Sequence, residues 1–374
     1  MQKIIEAEQP NLVTLSNSIL AHFGAKTFHD SDPVIDEVLK GHKKVAVMLF
    51  DGLGEYIFNN YPRTSRYFIK HKVETSHSVN PATTVACTTS FLTGQYPIET
   101  GWMGWSLFFN DLNCPVDVFT NRESLSGNYL GEGSAMFAKC PHKTLDDLIK
   151  DAGGRADLVF SEPIRGNSNP HSGYSTLGEM VDYGSEFFSK GDGFLYMYWP
   201  NPDSTLHDYG VNNWHVRREI RRIKKAVSSF CKKNPDVLVL TIADHGLVDV
   251  TYRDIAAFPD IYSHVSRPLS LEPRSTSFCV KEGEEKAFEE AFSRHLGGDF
   301  ALFSRKQILD MGYFGEGEKN EYADSFLGDY VALATGSYCL FNSLDGKEHR
   351  HFQNAHHAGA TKEEKEILVA AFNR

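Results

Sequence analysis

The sequence lacks any long apolar run. Nowhere does it contain ~18 consecutive apolar residues, the length that a helix needs to span a bilayer. Residues 1–10 carry charged side chains and include no apolar segment of the kind found in a signal peptide. We therefore expect neither export nor contact with a membrane.

The cysteines do not occur in close pairs. The chain of 374 residues has six of them and no Cys-x-x-Cys motif, at positions 87, 114, 140, 231, 279 and 339. Because we expect no export, these cysteines are interpreted as reduced thiols, which predicts a cytoplasmic protein.

Basic residues are also in deficit. The formal net charge is −11, whereas nonspecific nucleic-acid binders need a basic surface that displaces counterions from the phosphate backbone. The basic pairs at 217–218, 221–222 and 224–225 lie on one predicted helix and are interpreted as its solvated face. A nucleic-acid polymer is therefore not an expected partner.

What the chain does contain is enough apolar material for a large core. Hydrophobic residues make up 41% and charged residues 23%, as in ordinary globular proteins. The length exceeds what a single core usually organises, which predicts one large domain with a smaller insert, or two domains.

Short apolar runs alternate with helical patterns. The runs at 45–50, 194–199 and 237–242 are typical of strands buried on both faces, and helical patterns cover 144–152, 177–190 and 216–231. This alternation predicts an α/β fold, with a mostly parallel central sheet and helices on both faces.

A different pattern begins near residue 267. A predicted strand at 275–280 is followed by predicted helices at 284–296 and 304–311, which suggests a smaller α+β cap. We therefore predict a first core segment at 1–255, a cap insert at 256–328, and a closing core segment at 329–374.

Polar residues follow each predicted core strand. Asp51 comes directly after the first strand, Asp203 lies in the loop after the second, and Asp244 with His245 follows the third. Since ligands of open α/β sheets bind at the carboxyl ends of the strands, these side chains are expected to meet at one edge.

Each motif alone has a simpler explanation. Asp51-Gly52 could be an ordinary turn. Thr83 or Thr84 would stand at the start of a helix after Pro81, where free N–H groups favour an anion, but either could be a plain N-cap.

The histidines offer nitrogen ligands. His207 follows Asp203 with three residues between, so both side chains share a face if the segment is helical, although a surface pair is an equal alternative. An oxygen together with an imidazole nitrogen suits zinc. The late pair His356-His357 could supply the ligand that one of two metals would otherwise lack.

Taken together, the motifs resemble the alkaline phosphatase superfamily, and most closely its type I phosphodiesterase/nucleotide pyrophosphatase branch. The resemblance runs from Lys44 to the carboxyl terminus. Five motifs carry it in the family's order: strand-Asp51-Gly52, Thr84 before Thr93-Gly94, Pro202-Asp203-x-x-x-His207, Ala243-Asp244-His245-Gly246, and His357-x-Gly359-x-Thr361-x-x-Glu364.

The resemblance implies two divalent metal ions, zinc or alternatively manganese. It assigns Asp203, His207 and His357 to one ion. It assigns Asp51, Asp244 and His245 to the other, which also touches the nucleophile Thr84. Thr84 is preferred to Thr83 by its distance from Thr93-Gly94, and His357 to His356 by its alignment with Gly359, Thr361 and Glu364.

Two departures from the family pattern leave the substrate open. The stretch 102–105 has no Asn where many nucleotide-cleaving members hold a phosphate oxygen, and Trp105 is expected in that place. Leu206 stands where the family usually has Gly. Trp102, Trp105, Tyr198 and Trp199 are expected to shape the pocket.

The implied activity is metal-dependent hydrolysis of a small phosphate ester or nucleotide-like substrate through a phosphothreonine on Thr84. A phosphomonoesterase or phosphonate hydrolase on the same scaffold is the alternative, followed by a non-catalytic metal-binding protein. A sulfatase is disfavoured because Cys87-Thr88-Thr89-Ser90 lacks the Pro and Arg of the sulfatase motif. The oligomeric state is left open.

Overall fold

The computed structural model describes residues 8–161, 173–346 and 352–374. Its α-helices are α1 (Leu12–His22), α2 (Pro33–Leu39), α3 (Glu55–Asn60), α4 (Pro62–His71), α5 (Thr84–Thr93), α6 (Pro97–Thr100), α7 (Ala135–Lys139), α8 (Leu145–Asp151), α9 (Leu177–Ser189), α10 (Asp203–Tyr209), α11 (Trp214–Lys233), α12 (Pro259–Tyr262), α13 (Glu285–Leu296), α14 (Arg305–Asp310), α15 (Ala323–Phe326) and α16 (Lys362–Lys365). Short 3-10 helices cover Ile255–Ala257 and Ser343–Asp345.

The strands belong to two large sheets and two small pairs. They are β1 (Lys44–Phe50), β2 (Lys72–His77), β3 (Ser106–Phe109), β4 (Cys114–Asp117), β5 (Arg122–Glu123), β6 (Ala156–Ser161), β7 (Gly173–Tyr174), β8 (Gly193–Trp199), β9 (Leu238–Ile242), β10 (Val248–Asp249), β11 (Thr251–Asp254), β12 (Ser270–Leu271), β13 (Ser275–Phe278), β14 (Phe300–Ser304), β15 (Tyr330–Ala334), β16 (Tyr338–Phe341), β17 (Ala355–His356) and β18 (Glu366–Phe372).

The central sheet is mixed rather than purely parallel. Its order is β2-β18-β9-β1-β8-β6-β7, and the pairs from β9 to β7 are all parallel. The closing strand β18 runs antiparallel to both β9 and β2. The three predicted apolar runs are β1, β8 and β9, and they occupy the middle of the sheet, where both faces are covered.

Helices cover both faces of this sheet. Consecutive residues of β8 point to opposite sides. The Tyr196 ring lies 5.6 Å from Phe91 of α5, whereas a Cβ placed on Gly184 of α9 would lie 3.1 Å from the sulfur of Met197. The predicted layered α/β arrangement is therefore present.

The second large sheet is antiparallel, in the order β14-β15-β13-β12-β3-β4-β5. The side chains of β15 alternate, so that Val331 and Leu333 face the main core while Ala332 and Ala334 face a smaller apolar cluster with α13. Strands from 106–123 and from β15 lie outside the predicted cap at 256–328. The second sheet therefore crosses both predicted boundaries of the cap, and the division of the chain into three segments stays a prediction.

No helix among the described residues is long and apolar enough to cross a membrane. The basic residues of α11 at 217–218, 221–222 and 224–225 are exposed, and Val216, Ile220 and Ile223 between them are buried. This helix therefore presents its charged face to solvent.

Candidate metal centre

The ends of three core strands meet through backbone hydrogen bonds. The N–H of Asp51 donates to the carbonyl of Trp199 at 3.0 Å, and the N–H of Asp203 donates to the carbonyl of Asp51 at 2.9 Å. The N–H of Gly52 donates to Oδ1 of Asp244 at 3.1 Å. The carboxyl edge of the sheet thus brings Asp51, Asp203 and Asp244 together, as expected from its topology.

Gly52 allows this close approach. Its φ of +71° lies in the left-handed region, and an added Cβ would lie 2.9 Å from the Cα of Asp203. A side chain at this position would push the Asp203 loop away from the strand end. The Asp-Gly motif is therefore more than a turn signal here.

Two groups of metal-ligating atoms lie side by side. Asp51, Asp244 and His245 form one group, and Asp203, His245 and His357 form the other, with the ligand atoms of each group within 4.8 Å of one another. The Nε2 atom of His245 is 3.5 Å from Asp51 Oδ1 and 3.5 Å from Asp244 Oδ2. His245 therefore lies at the junction of the two groups.

His207 extends the second group. It lies on α10 with Asp203, and its Nε2 atom is 3.3 Å from Asp203 Oδ1. The groups therefore bring together all six predicted Asp and His ligands, with His245 between the two sets rather than in only one. His356 belongs to neither group formed by described residues.

Thr84 lies beside both groups. It is the first residue of α5, and its Oγ1 is 3.2 Å from His245 Nε2 and 3.4 Å from Asp51 Oδ2. Thr83 is the N-cap residue, but its side chain makes no capping hydrogen bond and donates to Glu272 instead, at 2.6 Å. The hydroxyl that faces the metal-ligating atoms is therefore that of Thr84.

Several buried atoms of these groups have no hydrogen-bond partner within the described part of the chain. They are Asp51 Oδ1, Asp203 Oδ1, Asp244 Oδ2 and His357 Nδ1. A buried polar atom without a partner is costly, and carboxylate oxygens with imidazole nitrogens are the donors that zinc accepts. The residues present therefore fit two divalent ions.

Backbone carbonyls orient two of the imidazoles. Nδ1 of His207 lies 2.7 Å from the carbonyl of Ala355, and Nδ1 of His245 lies 3.2 Å from the carbonyl of Gly246. Because a carbonyl can only accept, each Nδ1 carries a proton, and each Nε2 is the ring nitrogen that faces the carboxylates.

Burial and neighbouring charges shift the pKa values of the three carboxyl groups. Burial raises the pKa of Asp51 well above its usual range, and the neighbouring Asp244 and Asp203 raise it further. Burial also raises the pKa of Asp244. The pKa of Asp203 is raised by burial, but the facing His207 and His245 outweigh that effect and the net shift is downward.

The late histidines are buried in their neutral form. Burial lowers the pKa of His357 well below its usual range, and the imidazoles of His245 and His356 act in the same direction. Burial, followed by His207, lowers the pKa of His356 to about 3. Neutral imidazole is the form that binds a metal.

The last motif holds the loop that carries His357. Glu364 accepts hydrogen bonds from the N–H of Gly359 at 2.7 Å and from the hydroxyl of Thr361 at 2.6 Å. Arg274, in the turn between β12 and β13, pairs with the same carboxylate. The Gly, Thr and Glu of the motif therefore position His357, and Arg274 is a partner that sequence reasoning missed.

A cavity of about 460 Å³ opens beside Thr84. Its lining includes Thr84, Asp203, His207 and the two late histidines, together with Trp105, Tyr252, Phe341 and Phe352. The rings of the last three make edge-on contacts, with centroids 4.7 Å apart for Tyr252 and Phe352 and 5.0 Å apart for Phe341 and Phe352. The cavity therefore combines metal-ligating side chains with an aromatic wall.

Of the aromatic residues expected at the pocket, only some reach it. Trp105 lines the cavity, and the Tyr198 hydroxyl donates to Oδ2 of Asp51. The indole N–H of Trp102 donates to the carbonyl of Cys140, and that of Trp199 to Glu219, so both are structural contacts away from the lining. Tyr252 and Phe352 had no signal in the sequence.

Glu272 is a second missed residue. Its Oε1 accepts from the Thr83 hydroxyl at 2.6 Å and from the Trp105 N–H at 2.7 Å, while the side chain lines the cavity. Burial raises its pKa to about 7, and the two hydrogen bonds act against that shift. In the sequence it stands between Leu271 and Pro273, outside every motif.

The family model for type I phosphodiesterase / nucleotide pyrophosphatase matches residues 45–357. No curated protein is found to match the chain.

Solved structures of ectonucleotide pyrophosphatase / phosphodiesterase 5 have a similar fold. The murine protein matches with a TM-score of 0.63 at 18% identity, covering 87% of each chain. An inactive variant of that murine protein in complex with AMP matches with a TM-score of 0.63 at 17% identity, and the match covers 88% of each chain. The human protein matches with a TM-score of 0.60 at 13% identity, and the match covers 88% of this chain and 87% of the other. At such identities these matches establish the fold alone.

Proposed function

The chain belongs to the type I phosphodiesterase / nucleotide pyrophosphatase family, a branch of the alkaline phosphatase superfamily, and we propose that it cleaves its phosphate ester through a covalent intermediate on Thr84. The activity class, hydrolysis of phosphoric esters, follows from the family. The proposal of a covalent intermediate rests on the position of Thr84 Oγ1, which is 3.2 Å from His245 Nε2 and 3.4 Å from Asp51 Oδ2.

The ligand groups support a two-metal centre. Asp51, Asp244 and His245 would hold one ion, and Asp203, His207 and His357 the other, with His245 near both. When bound, the ions would neutralise the buried carboxylates and stabilise negative charge on phosphate oxygens. Three carboxylates with three imidazoles favour zinc, and manganese is the alternative.

The chain's own groups account for the rest of the reaction. Thr84 Oγ1 gives up its proton and attacks phosphorus, the bond to the leaving alcohol or phosphate breaks, and the leaving oxygen takes up a proton. The phosphothreonine that forms still carries the other ester group of the substrate. The N-terminus of α5 favours the negative charge held at Thr84, since its first N–H groups lack helical partners. Water then cleaves the phosphothreonine and restores the hydroxyl.

A small nucleotide-like ester is the proposed substrate class. The cavity has the size of an ordinary small-molecule site, and its aromatic wall offers stacking surfaces for a flat group. The murine relative's structure with AMP lends support, although that complex belongs to the relative. A net charge of −11 argues against a nucleic-acid polymer.

The test combines turnover, metal dependence and trapping. The purified protein should hydrolyse bis-p-nitrophenyl phosphate, lose that activity on treatment with a chelator, and regain it with zinc or manganese. Acid quenching during turnover should yield Thr84 that carries a p-nitrophenyl phosphate group, detected by mass spectrometry, because only one p-nitrophenol has left. Efficient hydrolysis without any labelled threonine would overturn the covalent route.

The same assays separate the alternatives. Faster turnover of p-nitrophenyl phosphate or of a phosphonate ester than of the diester would favour a phosphomonoesterase or phosphonate hydrolase. Metal-loaded protein that is inert toward all of these esters and toward nucleotides would favour a non-catalytic metal-binding protein.

A further inference from the structure

Glu272 places a carboxyl group in the wall of the Thr84 cavity. Its Oε1 accepts two hydrogen bonds, from Thr83 and from the backbone of Trp105, which fix the side chain from both sides. The described residues donate no hydrogen bond to Oε2. The residue is 4% exposed, and the cavity that it lines also contains Thr84, so Oε2 is the part left to face a substrate.

The backbone donor next to this carboxyl is already occupied. The N–H of Trp105 donates to Oε1 of Glu272. Across the described lining of the cavity, the charged and titratable groups are Asp203, Glu272, Tyr252 and imidazoles, with no lysine or arginine. Glu272 therefore adds negative charge to a wall in which the described lining offers a phosphate no cationic side chain from Lys or Arg.

We propose that Glu272 is a specificity-determining residue that selects monoanionic phosphodiesters over dianionic phosphomonoesters. The inference rests on the proposed function, since it concerns the substrate bound beside Thr84. A phosphomonoester carries nearly one more negative charge than a diester at pH values above its second pKa of about 6. A buried carboxylate repels that additional charge strongly because the surroundings screen it poorly.

The protonation state of Glu272 is consistent with this role. Burial raises its pKa to about 7, so the carboxyl carries its charge in mildly alkaline solution. Assays above that pH therefore compare charged Glu272 with a neutral replacement. Oε1 of a glutamine can still accept from Thr83 and Trp105, which keeps the local structure.

The experiment measures kcat/KM for bis-p-nitrophenyl phosphate and p-nitrophenyl phosphate in two isosteric pairs. The first pair is the wild type and Glu272→Gln, and the second is Glu272→Asp and Glu272→Asn. Within each pair only the charge differs. If the glutamine variant does not fold, the aspartate and asparagine variants repeat the comparison.

In each pair, the neutral variant should have a ratio of kcat/KM for the diester to kcat/KM for the monoester that is at least about 10-fold lower than that of the charged variant. The fall should come mainly from faster monoester turnover. A purely structural role would lower turnover of both substrates and leave the ratio unchanged. A ratio that stays the same in both pairs overturns the proposal.

Asp345→Asn is the matched control. Asp345 lies in the wall of the neighbouring cavity, which it shares with Glu272, but it does not line the cavity of Thr84. Removing its charge should leave the ratio unchanged, and an equal drop in this variant would contradict a specific effect of Glu272. Wild-type protein that hydrolyses neither ester refutes the proposed function, whereas an active wild type with an unaltered ratio in the variants refutes only this inference.

Discussion

Arg274 and Glu364 form a two-point ion pair that is fully buried. Nε of Arg274 is 2.7 Å from Glu364 Oε1, and one terminal nitrogen is 2.8 Å from Oε2. The arginine also donates to the carbonyls of Gly336 and Tyr338. Through Glu364 the turn between β12 and β13 therefore holds the loop of His357 beside the other candidate metal ligands, and an added Cβ on Gly359 would lie 2.6 Å from the guanidinium.

Breaking this pair should be costly. Arg274→Met leaves the Glu364 carboxylate buried without its partner, so the free energy of unfolding should fall by about 3–5 kcal/mol, measured by urea denaturation. Arg294→Met, in an exposed pair with Asp260, should cost less than about 1 kcal/mol. Equal losses in the two variants would contradict the structural role assigned to Arg274.

Thr84→Ala should keep the fold and the metal but lower kcat by at least about 1,000-fold, because it removes the attacking oxygen. Thr84→Ser, which retains a hydroxyl, should lose much less. The control is Thr89→Ala, a buried threonine of the same helix that lies about 140° away around its axis. Undiminished turnover in Thr84→Ala would remove this residue from the mechanism.

Asp244→Ala and His207→Ala should each lower the bound metal from about two ions per chain to about one or fewer, with loss of activity. The metal content of the purified proteins is measured by elemental analysis. His215→Ala is the matched control for histidine, since its ring stacks on Tyr209 with centroids 3.9 Å apart, outside the ligand groups. Full metal content in both ligand variants would refute the assignment.

Glu74 should make stability depend on pH. Burial, followed by the neighbouring carboxyl group of Asp32, raises the pKa of Glu74 from 4.5 to about 8. The folded state therefore retains a proton that the unfolded state releases, and the stabilisation is complete below pH 4.5 and is lost as the pH rises through about 8.

Glu74→Gln should consequently be more stable than the wild type at pH 8 or above, by about 1 kcal/mol after solvent screening, with a smaller gain or a loss near pH 5. Urea denaturation across this pH range measures the difference. Glu37→Gln, an exposed residue of α2, should show no such trend. A stability difference between Glu74→Gln and wild type that is constant with pH would contradict the shift.

Much of the candidate site was predictable because its residues occur at the ends of local patterns. The apolar runs of β1, β8 and β9 are recognisable from composition alone, since a strand covered on both faces has little polar content. Because parallel strands end at the same edge of a sheet, the sequence alone predicts that Asp51, Asp203 and Asp244 lie close together.

Other features depended on contacts between residues far apart in the chain. Glu272 meets Thr83 across 189 positions, and Arg274 meets Glu364 across 90. Neither pair belongs to a periodic pattern, and an isolated Glu or Arg in a mixed segment most often indicates an exposed side chain. Their burial is decided by the packing of the second sheet against the core.

The sequence by itself determined the layered α/β core and the polar residues at the ends of its strands, which follow from hydrophobic periodicity and from residues adjacent in the chain. The preference for Thr84 over Thr83 came from the family resemblance, since the residues alone left both possible. Only the tertiary structure decided that β18 is antiparallel, that strands from 106–123 join the second sheet, and that His245 lies between both ligand groups. Which strands pair and which side chains meet depends on contacts between residues far apart in the chain. Such contacts lower the free energy of the whole chain, and no single segment determines them.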